Sequence, residues 1–205
     1  MPTGESRREV AAEGGDARER ILRTAYDLFR RNSLNSVGVD RIVAEADVAK
    51  TTLYRHFPSK DDLAVAVIRR HEEVWTREWL EEAIAARATT PGAQLLATFD
   101  AFDEWFRRDD YEGCLFARIL LETHDPGSRV RAAAATGLGN VRAVLRKLAE
   151  EAGADDPAAL ALRIQMLLLG SIVAATYGDR GAARQARAVA QLVLEQAGIT
   201  TESPV

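Results

Sequence analysis

Lys50, Thr51, Tyr54 and Arg55 fall on one side of a segment at 48–57 whose other side carries Ala49, Leu53 and Phe57, when each residue turns by about 100°. Two cations, a hydroxyl and an amphipathic aromatic, with no acid among them, are groups that reach phosphate oxygens and base edges. Thr52 and His56 lie beside the apolar side. His56 also admits a plain reading as a packing histidine. Lys60 opens the next helical stretch, where its ammonium and the helix-end N–H groups are placed to meet a phosphate. The chemistry such a set performs is contact with a nucleic acid.

Other chemistries find little support. No Ser/His/Asp or Cys/His pair, phosphate-cradling Gly-rich loop or paired-carboxylate arrangement stands out, so no catalytic residue is assigned and no enzyme is expected. His71-Glu72-Glu73 and His124-Asp125 lack the spacing of metal ligands. Neither a metal nor a cofactor is expected. A lone Cys114 opening GCLFARILL reads as a small buried hydrophobe before it reads as a redox sensor. It also leaves no intrachain disulfide, which favours a reducing compartment.

The elements that must position this face are helical. Ile21, Leu22, Ala25, Leu28 and Phe29 make one apolar stripe over 18–31, and Val39, Ile42, Val43 and Ala46 make another in a helix too short to stand alone. NSLNSVG at 32–38 separates them, and Asp47 separates the second from the third. Pro58 stops the third, and Ser59-Lys60-Asp61-Asp62 reads as a capping box for a fourth helix running to about Arg87. Further helical stretches fall near 92–107, 114–123, 127–152, 157–177 and 182–197. The expected fold is all-α with about nine helices. It divides into a polar arm at 1–17, a three-helix head at 18–62 and a body at 63–199. Arg7-Arg8 in the arm could enter a minor groove, although a solvated tail is the simpler reading.

Residues 42–63, IVAEADVAKTTLYRHFPSKDDL, resemble the DNA-binding signature of the TetR family of bacterial regulators. The matching positions are Ile42, Ala46, Val48, Lys50, Thr52, Leu53, Tyr54, His56, Phe57, Lys60 and Leu63, and the likeness extends over 18–65. It implies a helix-turn-helix in which Lys50, Tyr54 and His56 touch the DNA backbone, Thr51 and Arg55 read bases, and Lys60 holds a phosphate. Three departures bear on it. Asp47 stands where the family turn has Gly, a position Asp tolerates better than most residues. Thr51 stands where Gly is usual. Val37-Gly38-Val39 lacks the usual hydroxyl cap, a role that Ser36 is placed to take over.

The resemblance also implies a C-terminal domain that binds a small molecule and forms a homodimer. Independently, 160–175 (LALRIQMLLLGSIVAA) is apolar nearly all round and must be covered on several sides. Ala182, Ala183, Ala186, Ala190 and Val193 let the next helix approach closely. The expected interface therefore takes Leu160, Ile164, Leu167, Leu168, Ser171, Ala175, Ala182, Ala186, Val189, Ala190 and Val193 into a four-helix contact. Trp75, Trp79, Phe99, Phe102, Trp105, Phe106 and Phe116 are candidates to line an effector pocket, with His71, His124 and Arg118 as its polar groups. Core filling is the alternative for each ring.

Net charge is -4, yet residues 1–60 carry 11 Lys and Arg against 9 Asp and Glu, and the rest 16 against 22. A mildly basic head on an acidic body suits DNA binding by the head alone. No apolar leader precedes the head, and the run from Met166 to Ala175 is too short for a bilayer, so a cytoplasmic protein with no membrane partner is expected. The expected partners are double-stranded operator DNA, a second copy of the chain and a small-molecule effector. A ligand-independent DNA-binding protein or an adaptor with the same head is the alternative.

Overall fold

The computed structural model describes the backbone of residues 4–201 and the side chains of residues 17–201. In chain order the helices are α1 (Gly4–Arg31), α2 (Val39–Glu45), α3 (Lys50–His56), α4 (Lys60–His71), the π-helical segment π1 (Glu72–Leu80) and α5 (Glu81–Ala85). They are followed by α6 (Pro91–Arg107), α7 (Leu115–Glu122), α8 (Arg129–Glu151), α9 (Pro157–Thr176) and α10 (Ala182–Gln196). No strand occurs among the described residues. The fold is all-α, with nine helices when the consecutive stretches from Lys60 to Ala85 are taken as one.

Two expectations change. Helix α1 starts at Gly4, so most of the arm expected at 1–17 has helical backbone; Glu, Arg and Ala dominate there and are strong helix formers. The Arg7 and Arg8 side chains lie outside the described residues. The fourth helix also changes hydrogen-bonding pattern at Glu72. In π1 and α5 the covered positions Trp75, Thr76, Trp79, Leu80 and Ile84 recur every four to five residues, a spacing a nine-residue π-helix accommodates.

The chain forms two compact units: one holds the chain up to His71 together with 118–134, the other holds 72–117 and the chain from Ala135 onward. The boundary thus falls nine residues later than the 62/63 division expected, with one excursion back.

In the first unit, α1 packs on α2, α3 and α4. Ile21, Leu22, Ala25, Leu28 and Phe29 meet Ile42, Leu53, Phe57, Leu63, Val67 and Ile68 in a shared core. The turn from α2 to α3 is a Schellman motif: Val48 N–H donates to the Val43 carbonyl at 3.1 Å and Asp47 N–H to that of Ala44 at 3.4 Å. Asp47, at φ 50°, is the non-glycine residue with positive φ among the described residues. Arg20 of α1 reaches the Ala46 and Asp47 carbonyls, each at 3.4 Å. At α4, Ser59 Oγ accepts from Asp62 N–H at 3.1 Å and donates to the Asp62 carboxylate at 2.6 Å, a variant of the expected box. No side chain caps α2, whose N-cap is Gly38; Ser36 Oγ donates instead to the Ser33 carbonyl at 2.8 Å.

In the second unit, α10 lies against α9 and α6, and α6 also meets α5 and α9. Thr90 and Asp156 cap α6 and α9, each followed by proline at the first helical position. Leu160, Ile164, Leu168, Ser171 and Ala175 of α9, and Ala182, Ala186 and Ala190 of α10, are buried within their own chain, and Leu167 and Val193 half-buried. Of the expected interface set, Val189 alone is exposed in the single chain. A helix apolar all round carries no polarity in its sequence to tell its inward side from its outward one. By length and composition α9 would also suffice to cross a membrane, contrary to the expectation from its central run, but about half of it is core.

Candidate DNA-binding face

Helix α3 is only seven residues long, and its one buried residue, Leu53, anchors it to the core while Phe57 follows as a buried C-cap. Arg18 lies over the Phe57 ring, 5.2 Å from its centroid. This anchoring leaves Lys50, Thr51, Tyr54 and Arg55 exposed on the far side and Thr52 and His56 half-covered at the edge. The face expected from the sequence is therefore assembled as one surface.

Its charges are less free than its composition. Lys50 Nζ donates to Asp40 Oδ1 of α2 at 2.7 Å, and that hydrogen bond and charge hold the ammonium above its ordinary pKa. Arg41 is committed to Glu45 at 2.8 Å. Lys60 Nζ donates to the Leu34 carbonyl at 2.6 Å, and burial pushes its pKa below the ordinary value against the opposing charge of Asp61. One donor of the expected phosphate clamp is thus spent inside the head. Arg55 has no ion-pair partner among the described residues. His56 Nε2 is buried and lacks a hydrogen-bond partner among them. Sequence reasoning missed Asp40 and Arg20, because neither lies on the helix whose periodicity drew attention. A scan for acids within reach of a basic helix would have found Asp40.

The candidate effector residues separate. His71 is buried in the first unit, its Nδ1 3.0 Å from Tyr26 Oη. Burial, aided by the Arg30 and Arg118 charges, pushes its pKa down to about 3. Arg118 donates to the Phe29 carbonyl and, at 2.8 Å, to that of Arg30, closing the end of α1. His124 is exposed in the same unit. These three expected polar groups belong to the first unit, and the expected aromatic residues, Phe116 included, to the second.

The rings themselves do cluster, in the second unit. Trp75 lies 5.1 Å from Trp79, 5.3 Å from Trp105 and 5.6 Å from Phe102, centroid to centroid, and Phe106 joins at 5.9 Å from Phe102. Tyr111, not expected in the set, stacks edgewise on Trp105 at 4.9 Å and donates to the Ile172 carbonyl at 3.0 Å. Phe99 is buried in α6. Trp75, Phe102 and Phe116 border a cavity of about 10 Å³, together with Cys114, Val141 and Gln165. The Gln165 amide is held by Arg142 at 2.6 Å and by the Leu138 carbonyl at 2.7 Å.

A short helix entered by a tight turn, its inner side locked to two others and its outer side polar and basic, defines the class of helix-turn-helix DNA-binding proteins. The profile for bacterial regulatory proteins of the tetR family matches residues 21–67, which span this head. Over 109 residues the chain is 32% identical to the transcriptional activator FasR of Mycolicibacterium smegmatis, covering 53% of this chain and 48% of that one. It is 25% identical over 136 residues to the transcriptional repressor NemR of Escherichia coli, covering 66% and 68%. A crystal structure of a TetR-family transcriptional regulator from Streptomyces coelicolor superposes with a TM-score of 0.82 at 27% identity, covering 98% of each chain. Residues 21–67 match the tetR family of bacterial regulatory proteins, and the chain as a whole is similar to TetR-family DNA-binding transcriptional regulators.

Proposed function

We propose that this regulator is a cytoplasmic repressor that binds a palindromic operator as a homodimer and leaves it when a small molecule occupies the aromatic region of its second unit. The observation that carries the DNA reading is the outer face of α3, where Lys50, Thr51, Tyr54 and Arg55 stand exposed over the buried Leu53. Lys50 and Tyr54 serve the backbone, and Thr51 and Arg55 serve the bases. Repression follows the likeness to the transcriptional repressor NemR; the likeness to FasR, a transcriptional activator, supports the opposite sign on a similar head.

The second copy docks on the outward side of α9 and α10. Leu162, Met166, Val173 and Tyr177 of α9 recur at helical spacing and are exposed, Met166 by 63% and Tyr177 by 78%, and Val189 and Leu192 continue the stripe on α10. A row of large apolar side chains left exposed by the described residues fits a self-complementary contact. For the effector, the cavity beside Trp75 is about the size of one water, whereas small-molecule sites run to about 300 Å³ or more. Binding therefore displaces rings, and Trp75 lies on π1, which follows α4 directly in the chain. Movement there is passed to α4. A coupling of about 1–3 kcal/mol lowers operator affinity five- to 150-fold.

The test is selection of bound duplexes from a random pool by the purified protein. An inverted repeat with half-sites about one helical turn apart supports the reading and supplies the probe for an effector screen by release. Binding with no enriched sequence, fading uniformly with salt, overturns it.

A further inference from the structure

We propose that Asp40 competes with DNA phosphate for the Lys50 ammonium and so lowers the sequence-independent part of the DNA affinity. The inference rests on the DNA-binding reading of α3 and adds a regulator of its charge.

Asp40 is the second residue of α2 and Lys50 the first of α3, so the tight turn at Asp47 brings the first turns of two short helices side by side. The carboxylate and ammonium meet at 2.7 Å with both groups open to solvent, Asp40 by 83% and Lys50 by 52%. An exposed pair of this kind does little for stability, because water and salt screen it. Its position is what gives it an effect. Of the cations near the outer face, Arg41 is paired with Glu45 and Lys60 is turned to the Leu34 carbonyl. Lys50 and Arg55 are then the residues left to meet phosphates from α3, and Asp40 neutralises the first.

A cation that binds DNA releases the counterions condensed on the phosphate it neutralises, and this release supplies nearly all non-specific affinity. When Lys50 stays with Asp40, one such contact is missing. When Lys50 leaves for a phosphate, Asp40 is stranded beside a polyanion and takes up a cation in compensation. Either way the net release falls short by about one ion. Base contacts from Thr51 and Arg55 do not depend on that ion, so the handicap falls on random DNA and on operator alike, and the operator alone has base contacts to lift its affinity above the lowered background. A head with few free cations thus stays off the bulk of the chromosome.

The experiment measures binding of the full-length protein to the selected operator and to a random-sequence duplex pool across a salt series, for wild type, Asp40→Asn, Lys50→Gln and the double variant. Asp40→Asn is expected to tighten random-duplex binding roughly three- to tenfold and to steepen the log–log salt slope by up to about 0.9. In the Lys50→Gln background the same change has a clearly smaller effect, the mark of a shared interaction rather than of a general charge change. Unchanged thermal midpoints show that the fold of the head is intact. If Lys50→Gln weakens binding while Asp40→Asn changes neither affinity nor slope, the competition is overturned and the DNA face stands. If Asp40→Asn weakens binding, Asp40 is itself a DNA contact and the proposal is overturned. If neither variant has any effect, the DNA reading of α3 fails with it.

Discussion

Asp47 holds a backbone position that an L-residue adopts at a cost, φ 50° at the residue after the α2 cap. It is tolerable because Arg20 binds the Ala46 and Asp47 carbonyls and because two backbone bonds close the motif around it. A larger loss follows from removing the carboxylate than from removing the whole side chain, since glycine pays no steric penalty there. Asp47→Ala is expected to destabilise the protein by about 1 kcal/mol in denaturant titration, while Asp47→Gly matches or exceeds wild type. His71 presents a second isolated case. In the fold it stays neutral down to about pH 3, whereas an unfolded histidine takes up a proton near pH 6.5. Between those values the unfolded chain binds more protons, so stability falls as pH falls, by up to about 1.4 kcal/mol per pH unit. His71→Gln should flatten the fall in thermal midpoint between about pH 6.5 and 4.5 relative to wild type; parallel curves would show that His71 does not titrate in this way.

Two glycines of α8 separate helix propensity from packing. A Cβ at Gly137 would sit 2.4 Å from the Phe116 ring, which is fully buried beside the cavity, whereas one at Gly139 meets nothing within 4 Å. Alanine gains about 1 kcal/mol of helix propensity at either position. At Gly137 overpacking of about 1–3 kcal/mol outweighs that gain. Thermal denaturation should therefore find Gly139→Ala more stable than wild type and Gly137→Ala less. The residues Thr-Gly-Leu-Gly-Asn give no hint of this difference, because it depends on a ring from α7. The same limit sets what could be read in advance. Helix ends marked by local chemistry, such as Pro58, Thr90-Pro91 and Asp156-Pro157, are visible in the chain, as is the polar side of α3. The switch to π-helical bonding at Glu72, the Lys60–Leu34 bond and the placement of His71 against Tyr26 depend on tertiary partners, and periodicity carries no trace of them. For α9 the reason differs: with both sides apolar, the sequence holds no information about which one the chain itself covers.

At the scale of the whole molecule the question is what the uncovered side of α9 does. Leu162, Met166, Val173 and Tyr177 present exposed apolar side chains at helical spacing, and leaving them in water forgoes about 25 cal/mol for each Å² that a partner would cover. If a second copy covers them, protein concentration and stability become linked, because the dimer is favoured by mass action. The wild-type melting temperature should then rise with concentration. Met166→Asp places a charge in the middle of the strip without touching the buried Ile164 and Leu168 on the inward side. Such a variant should sediment as a monomer, lose the concentration dependence, and keep the midpoint that wild type reaches at high dilution. Two heads held together gain about 10²–10⁴ in affinity over one when both half-sites can be engaged. Operator binding by Met166→Asp is accordingly expected to fall by at least about 100-fold, while its weak binding to random duplex is retained. A variant that remains dimeric with unchanged operator affinity would place the partner on another surface and leave the strip to a different role.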